Sequence, residues 1–407
     1  MIVKFQCPVE RHPVVRNHRS SEQLHIIWVY SGSLAADLDA ATWLETVKEL
    51  RSFGWRVTLV AAGPDGCHQI RGVEVLCIPR PDIYLVGQLA FHGRVLSLIM
   101  RQWTTVDVIL FDQMSAPWLL PLRILRGLTA QRRPLMVMDI RSMHMPGKQT
   151  FKDRLRGVFV GIMSRAASRW VDGYLVITKR MAESLRIPSE RLWGVWPSGV
   201  NLEQFASART ARRWPSPEGP IHLIYHGSMH FERNLMPLCQ AVVRGNADGM
   251  SFNLSLVGDG TERAELEVFA AQTNGAIRIV PTVPYDAVAE VLAQANVGVL
   301  PFPDEEKFRV SSPIKLFEYM AAGLPILATR IVCHTDVVGG GDYAFWAEDA
   351  GETGLLDSLR LVWQSRELLN EMGRQAAIAS ESWTWTASAK KLKKALEKGF
   401  QSLTNGD

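Results

Sequence analysis

Between Arg309 and Thr329 the chain reads RVSSPIKLFEYMAAGLPILAT, and four of these side chains could do chemistry together. Ser311, Ser312 and Lys315 stand at the start of an apolar run with helical spacing. Free backbone N–H groups, the positive end of the helix dipole and a lysine make such a start an anion site. Glu318 lies one turn further in, among Leu316, Phe317, Tyr319 and Met320. A carboxylate there is largely desolvated and needs a partner. Lys315, one turn earlier, is one candidate. The hydroxyl pair of a ligand such as a ribose is another. An anion at the helix mouth and a hydroxyl pair one turn in would together describe a nucleoside diphosphate.

The elements that must position these groups are legible around them. Ser312 can cap a helix by accepting from a first-turn N–H. Pro313 suits the first helical position, where its missing N–H costs nothing. Ile314, Phe317 and Ala321 form one apolar stripe, widened by Leu316 and Met320. Gly323 fits the helix stop, and Pro325 opens a strand-like run, PILAT.

This stretch resembles a helix in the C-terminal domain of family 4 glycosyltransferases. The pattern there is Pro-x-Lys-x-x-Glu-Tyr-Met-Ala-x-Gly-x-Pro, and every fixed position is present from Pro313 to Pro325. The resemblance implies an α/β chain of the GT-B fold, two doubly wound Rossmann-like domains facing a central cleft. It implies that Glu318 binds the ribose of a nucleotide sugar and that the helix start faces the diphosphate. It also implies retaining, metal-independent transfer of a sugar to an acceptor hydroxyl, in polysaccharide or glycoconjugate biosynthesis.

The rest of the chain supplies two strand–helix series, as two doubly wound domains require. The first opens with LHIIWVY, a small-residue loop, an amphipathic helix and WRVTLVAAG, and continues through VEVLCI, DVILFD, PLMVMDI and GYLVIT. The second runs through IHLIYHG, FNLSLVGDG, IRIV and VGVLPF to the Arg309–Thr329 stretch. The polar, Pro-containing SARTARRWPSPEGP reads as a linker. Expected boundaries are therefore 1–205 for an N-terminal, acceptor-side domain, 206–220 for the linker and 221–382 for a nucleotide-sugar domain. A last helix, 383–407, crosses back to the first domain if the resemblance holds, with Trp383 and Trp385 as anchors. The alternative is that these tryptophans finish the second core.

Further candidate groups lie at strand ends, where open α/β sheets bind ligands. The Ser31-Gly32-Ser33 turn lets backbone N–H groups approach a ligand, which marks Ser31 and Gly32. Asp139, Arg141 and His144 follow the PLMVMDI strand. That loop resembles the Asp-x-Arg-x-x-x-x-Pro loop of some family members, while others carry a histidine near Arg141 that contacts the donor sugar. After the first strand of the second series comes Gly227-Ser228-Met229-His230-Phe231-Glu232-Arg233. The family's cation pair implies a phosphate-neutralising role for Arg233, and Ser228 stands where the other cation would be. Gly258-Asp259-Gly260 resembles the family's Gly-Asp-Gly turn near the nucleotide, with the base resting near Val280. Val310 replaces a glutamate that touches the donor sugar in many members, leaving Arg309, Ser311 and Ser312 for sugar or phosphates.

Composition bounds the rest. Of 407 residues, 47% are hydrophobic and 21% charged, as in an ordinary globular protein. No apolar run approaches the ~20 residues of a membrane span, and no signal peptide stands at the start. Five scattered cysteines, none at CxxC spacing, suggest neither a disulfide framework nor a zinc site, so a cytoplasmic location is expected. Through Phe205 there are 26 Lys and Arg against 17 Asp and Glu, a balance of +9. Together with the basic, apolar segments Ala116–Arg133 and Phe151–Trp170, this suggests a phosphate-bearing acceptor or peripheral contact with an anionic inner membrane face. Asp37-Leu38-Asp39 resembles a metal motif but falls at a helix start, where it complements the dipole. The expected partners are thus a UDP- or GDP-linked sugar and a sugar, glycan or lipid-linked acceptor, with no metal, no other cofactor and no nucleic acid. Two rivals stand beside a transferase: a silent GT-B subunit, favoured by Ser228 and Val310, and a nucleotide-sugar epimerase, for which no convincing acid/base set is present.

Overall fold

The computed structural model describes residues 23–34, 40–129, 134–143, 162, 167 and 169–404. Within these the chain divides into two units, one of residues 1–197 and 388–407, the other of residues 198–387.

The first unit holds an eight-stranded sheet. Its strands are β1 (His25–Tyr30), β2 (Arg56–Ala62), β3 (Gly66–Ile70), β4 (Val73–Ile78), β5 (Val108–Phe111), β6 (Leu135–Ile140), β7 (Gly173–Val176) and β8 (Leu192–Val195). The order is β3-β4-β2-β1-β5-β6-β7-β8, parallel throughout except for the β3–β4 hairpin. The central strands are apolar on both faces because helices cover both, so β5, β6 and β7 are buried along their length. Strand order reverses between β1 and β5, the position at which doubly wound sheets open a ligand crevice. Leu392, Ala395, Leu396 and Phe400 of the Trp385–Thr404 helix enter the core of this unit. Gly194 permits the approach, since a Cβ there would lie 2.4 Å from that of Ala395.

The second unit holds a six-stranded, wholly parallel sheet. Its strands are β9 (Ile221–Ser228), β10 (Phe252–Asp259), β11 (Ile277–Val280), β12 (Val297–Leu300), β13 (Ile326–Thr329) and β14 (Ala344–Ala347), in the order β11-β10-β9-β12-β13-β14. Here the switch falls between β9 and β12. Both units are therefore parallel-sheet Rossmann-like domains.

Three local readings need correction. The stretch expected as a linker from residue 206 begins inside a helix, Leu202–Ala211, capped by Asn201, whose side chain accepts from the N–H groups of Glu203 and Gln204. Phe205 and Ala208 bury that helix in the second unit, and Arg212 clamps it by donating to four carbonyls there, of Leu292, Ala295, Ala322 and Gly323. Polar composition concealed a helix that is anchored by two buried residues, Phe205 and Ala208. Cys67 is in a disulfide, although the scattered spacing suggested no disulfide framework. Trp383 packs on Phe317 at 5.1 Å, completing the second core.

Candidate functional site

In the second unit, the residues singled out by sequence gather where β9, β10 and the Ile314–Ala321 helix meet. That helix starts one residue later than its sequence suggests. Pro313 is extended and serves as the cap position, and no side chain caps it. The Ser312 hydroxyl instead accepts the Ser198 N–H at 3.1 Å, and the Ser311 hydroxyl donates to the Phe308 carbonyl at 2.8 Å. Arg309 is turned outward in a two-pronged pair with Asp304, at 2.6 and 2.8 Å. Val310 is buried.

Glu318 is only 4% exposed, and the partner brought to it lies on β9 rather than on its own helix. His226, on β9, meets Oε2 through Nε2 at 2.7 Å. The next residue of β9, Gly227, has φ of +125°, and a Cβ there would lie 2.0 Å from Lys315 Cε and 2.6 Å from its Nζ. The lysine thus crosses the strand end at the point where only glycine leaves room. One residue on, the Ser228 hydroxyl accepts from Arg233 Nε at 3.0 Å. The Arg233 guanidinium lies over the Phe302 and Phe308 rings at 5.2 and 5.5 Å. Three consecutive residues of β9 therefore organise a carboxylate and two cations.

The second glycine turn packs directly on the first. Gly258 faces Gly227 in register, has φ of +149°, and would place a Cβ 1.9 Å from the Gly227 carbonyl oxygen. Asp259 is exposed, with Oδ1 accepting from the Gly260 N–H at 2.8 Å. Val280 ends β11, half-buried, beside Val257 of β10.

Beneath this site His334 is fully buried against Phe302, and its Nδ1 meets the Thr329 carbonyl at 2.9 Å. Burial, opposed by that bond, brings its pKa down to about 4.

The first unit places its candidates differently. Ser31 is tied to Asp112, whose Oδ2 accepts both its N–H and its O–H at 2.8 and 2.7 Å. The Ser31 carbonyl accepts from Arg80. Its N–H is therefore already used, contrary to a turn held open for a ligand. Gly32 lies under the ring of Tyr30, where a Cβ would be 2.5 Å from the hydroxyl. Asp139 is fully enclosed and accepts from Trp196 Nε1 at 2.9 Å. Burial pushes its pKa up to about 7, against the pull of Arg141 and the Trp196 bond. Arg141 stacks over the Trp196 ring at 3.6 Å and donates to its carbonyl at 2.6 Å. His144 lies outside the described residues, as do Asp37 and Asp39. Among the described residues, no group of three or more His, Cys, Asp or Glu is arranged to hold a metal ion.

The sequence reading missed His226 and Asp112. Each sits at the end of a strand beside the switch point of its sheet, which was the available signal.

The family model described as Glycosyl transferases group 1 matches residues 220–364, and that described as Glycosyltransferase Family 4 matches residues 40–204. The chain belongs to glycosyltransferase family 4. It is 28% identical over 199 residues to a 2-deoxystreptamine glucosyltransferase of Streptomyces kanamyceticus, covering 46% of this chain and 50% of that one. It is 30% identical over 123 residues to an N-acetyl-alpha-D-glucosaminyl L-malate synthase of Bacillus anthracis, covering 30% and 31%. The chain thus spans about half the length, or less, of the curated relatives it matches. The fold is shared with a sucrose-phosphate synthase from Thermosynechococcus elongatus, with a TM-score of 0.72, 17% identity and coverage of 93% of this chain and all of that one. It is shared too with Anabaena HepE in complex with UDP, at a TM-score of 0.67, 13% identity and coverage of 92% and 100%. Ser228 holds Arg233, and Val310 is core.

Proposed function

We propose that this family 4 protein is a glycosyltransferase that moves a sugar from a nucleoside-diphosphate donor to an acceptor hydroxyl, with retention of configuration and without a metal. The observation that carries the reading is the cluster on β9: Glu318 met at Oε2 by His226, Lys315 across Gly227, and Arg233 held by Ser228. In the reaction the bond from the sugar's anomeric carbon to the phosphate oxygen breaks, and a bond to the acceptor oxygen forms on the same face. The acceptor's proton passes to the departing phosphate. Negative charge grows on the diphosphate, so Arg233, Lys315 and the N–H groups opening the Ile314–Ala321 helix are where transition-state stabilisation is expected. Glu318 accepts from the ribose hydroxyls and fixes the register. The tautly held Arg233 also argues against the silent-subunit reading, since Ser228 serves the remaining cation. The test is NMR of the product's anomeric configuration, from reactions run in excess chelator. An inverted product, or activity lost in chelator and restored by magnesium or manganese, overturns the corresponding part.

We further propose that the first unit meets an anionic membrane face, where a lipid-linked acceptor would be presented. Helices Tyr84–Arg101 and Ala116–Leu128 lie side by side, with His92 stacked on Trp118 at 5.5 Å. Leu85, Leu89 and Met100 of one, and Leu120, Ile124 and Leu128 of the other, are exposed. Neither helix contains an Asp or Glu, and their charged residues are Arg94, Arg101, Arg123 and Arg126. Arg126 is buried in a pair with Asp172, and Arg94 pairs with Asp65. Apolar side chains among basic residues suit insertion at a lipid headgroup boundary. No helix among the described residues is long and apolar enough to cross a membrane.

A further inference from the structure

Glu318 is the last member of a three-residue chain of hydrogen bonds. His226 presents Nε2 to Glu318 Oε2 at 2.7 Å and Nδ1 to the Tyr319 hydroxyl at 3.2 Å. The backbone N–H of His226 donates to that same hydroxyl at 3.1 Å. Tyr319 is completely buried, its ring lodged against β12 where Gly298 leaves space: a Cβ there would be 2.4 Å from Tyr319 Cδ2. The imidazole meets the edge of the tyrosine ring at 5.2 Å and 63°. Burial raises the phenol pKa well above its ordinary value, so the hydroxyl keeps its proton.

The proton positions follow from counting donors and acceptors. The Tyr319 oxygen already accepts from a main-chain N–H, and its own proton has Nδ1 as its nearest acceptor. A neutral imidazole has one N–H, and accepting at Nδ1 places it on Nε2. That N–H then points at Glu318. The opposite tautomer would set the Nε2 lone pair against a carboxylate oxygen 2.7 Å away, a repulsive contact. We infer that Tyr319 locks His226 in its Nε2–H tautomer, and that His226 is thereby a positioning residue that holds Oε2 of Glu318 and leaves Oε1 for the ligand. Orienting a binding group through an outer hydrogen-bonded partner is a general way to fix its geometry. The inference rests on the reading of Glu318 as the ribose acceptor, but its first test needs no ligand.

The experiment compares wild type with Tyr319→Phe, which keeps the packed ring and removes the hydroxyl, both the proton donor facing Nδ1 and the acceptor of the His226 backbone N–H. Nitrogen-15 NMR of the histidine-labelled, ligand-free protein at neutral pH should show His226 protonated at Nε2 alone. In Tyr319→Phe the ring should become a mixture of the two tautomers. UDP or GDP, whichever binds wild type, should bind Tyr319→Phe about three- to tenfold more weakly, the cost of one misplaced hydrogen bond. His226→Ala should weaken it at least as much, with part recovered in His226→Gln, whose amide can still donate to Glu318. A wild-type ring protonated at Nδ1, or unchanged by Tyr319→Phe, overturns the relay whatever the ligand does. A correct tautomer with nucleotide affinity indifferent to Glu318→Ala instead overturns the ribose reading on which the positioning role depends.

Discussion

Replacing Glu318 with Ala separates a ligand-binding carboxylate from a merely structural one. In the free protein Oε2 meets Nε2 of His226, and in the inferred tautomer the removal of Glu318 leaves that half-buried imidazole N–H without its partner. An unsatisfied buried donor costs about 1–3 kcal/mol, so Glu318→Ala should lower the unfolding free energy by roughly that much. The same loss is present with and without ligand and cancels from the binding free energy. What remains is the bond, or pair of bonds, from ribose hydroxyls to an ionised oxygen, worth about 1.5–3 kcal/mol. At 1.4 kcal/mol per tenfold, the dissociation constant should rise by about 10- to 150-fold. Isothermal titration with UDP and GDP measures this, and thermal unfolding confirms that the variant is folded. The 2′-deoxy nucleotide closes a double-mutant cycle. It should bind wild type weakly and be nearly insensitive to the mutation, because the partner hydroxyl is already gone. Unchanged affinity for the ribonucleotide in a folded variant would refute the assignment and leave Glu318 as one half of a structural pair with His226.

Gly227→Ala should displace Lys315, because the new Cβ would stand 2.0 Å from Lys315 Cε at a backbone φ of +125°. Binding of UDP should suffer more than binding of uridine, and equal losses on both would deny the lysine a phosphate role. Vesicles of anionic lipid should sediment the protein at low ionic strength and release it as salt rises, at ~1 kcal/mol per nearby basic residue. Leu89→Glu together with Ile124→Glu should abolish this. Binding to neutral vesicles alike, or self-association removed by the same changes, would point to a different occupant. His334, brought down to about 4 by burial, makes stability pH-dependent. Its stabilising contribution as a neutral ring is full above the unfolded-state value near 6.5 and is lost as pH falls to about 4, by up to ~3 kcal/mol. Urea unfolding across that range should show the decline, and a His334→Gln variant should flatten it. A wild-type profile without the decline contradicts the burial argument.

Much of the second unit was legible because its signals are local. Pro313, Lys315, Glu318, Gly323 and Pro325 mark one helix and its exits within thirteen positions, and the helix forms where expected, one residue late. Contacts between distant segments were not legible. Glu318 was paired in sequence with Lys315, but the sheet brings His226, 92 residues away, into hydrogen-bonding distance. Ser228 read as a missing cation and is instead the acceptor that holds Arg233. In the first unit, Ser31 read as an open turn because nothing local announces Asp112, 81 residues on. The hairpin strand β3 was missed because its two-residue turn, Arg71-Gly72, places an arginine at φ of +47°, where Asn or Asp is the usual signal. The +9 charge balance hinted at an anionic partner, but only the structure shows two acid-free helices exposing their leucines side by side.

Cleavage of a nucleotide sugar by groups gathered at the end of β9 is the activity proposed for this chain. It is tested most directly by measuring release of free nucleoside diphosphate from a panel of UDP- and GDP-sugars, with candidate acceptors, by the purified chain and by Arg233→Ala and Lys315→Ala. Wild type should release it from at least one donor, and release should fall by about a hundredfold or more when either cation that stabilises the departing phosphates is removed. Release that is unaffected by both substitutions would contradict it, as would a wild type that binds the nucleotide but turns over no donor.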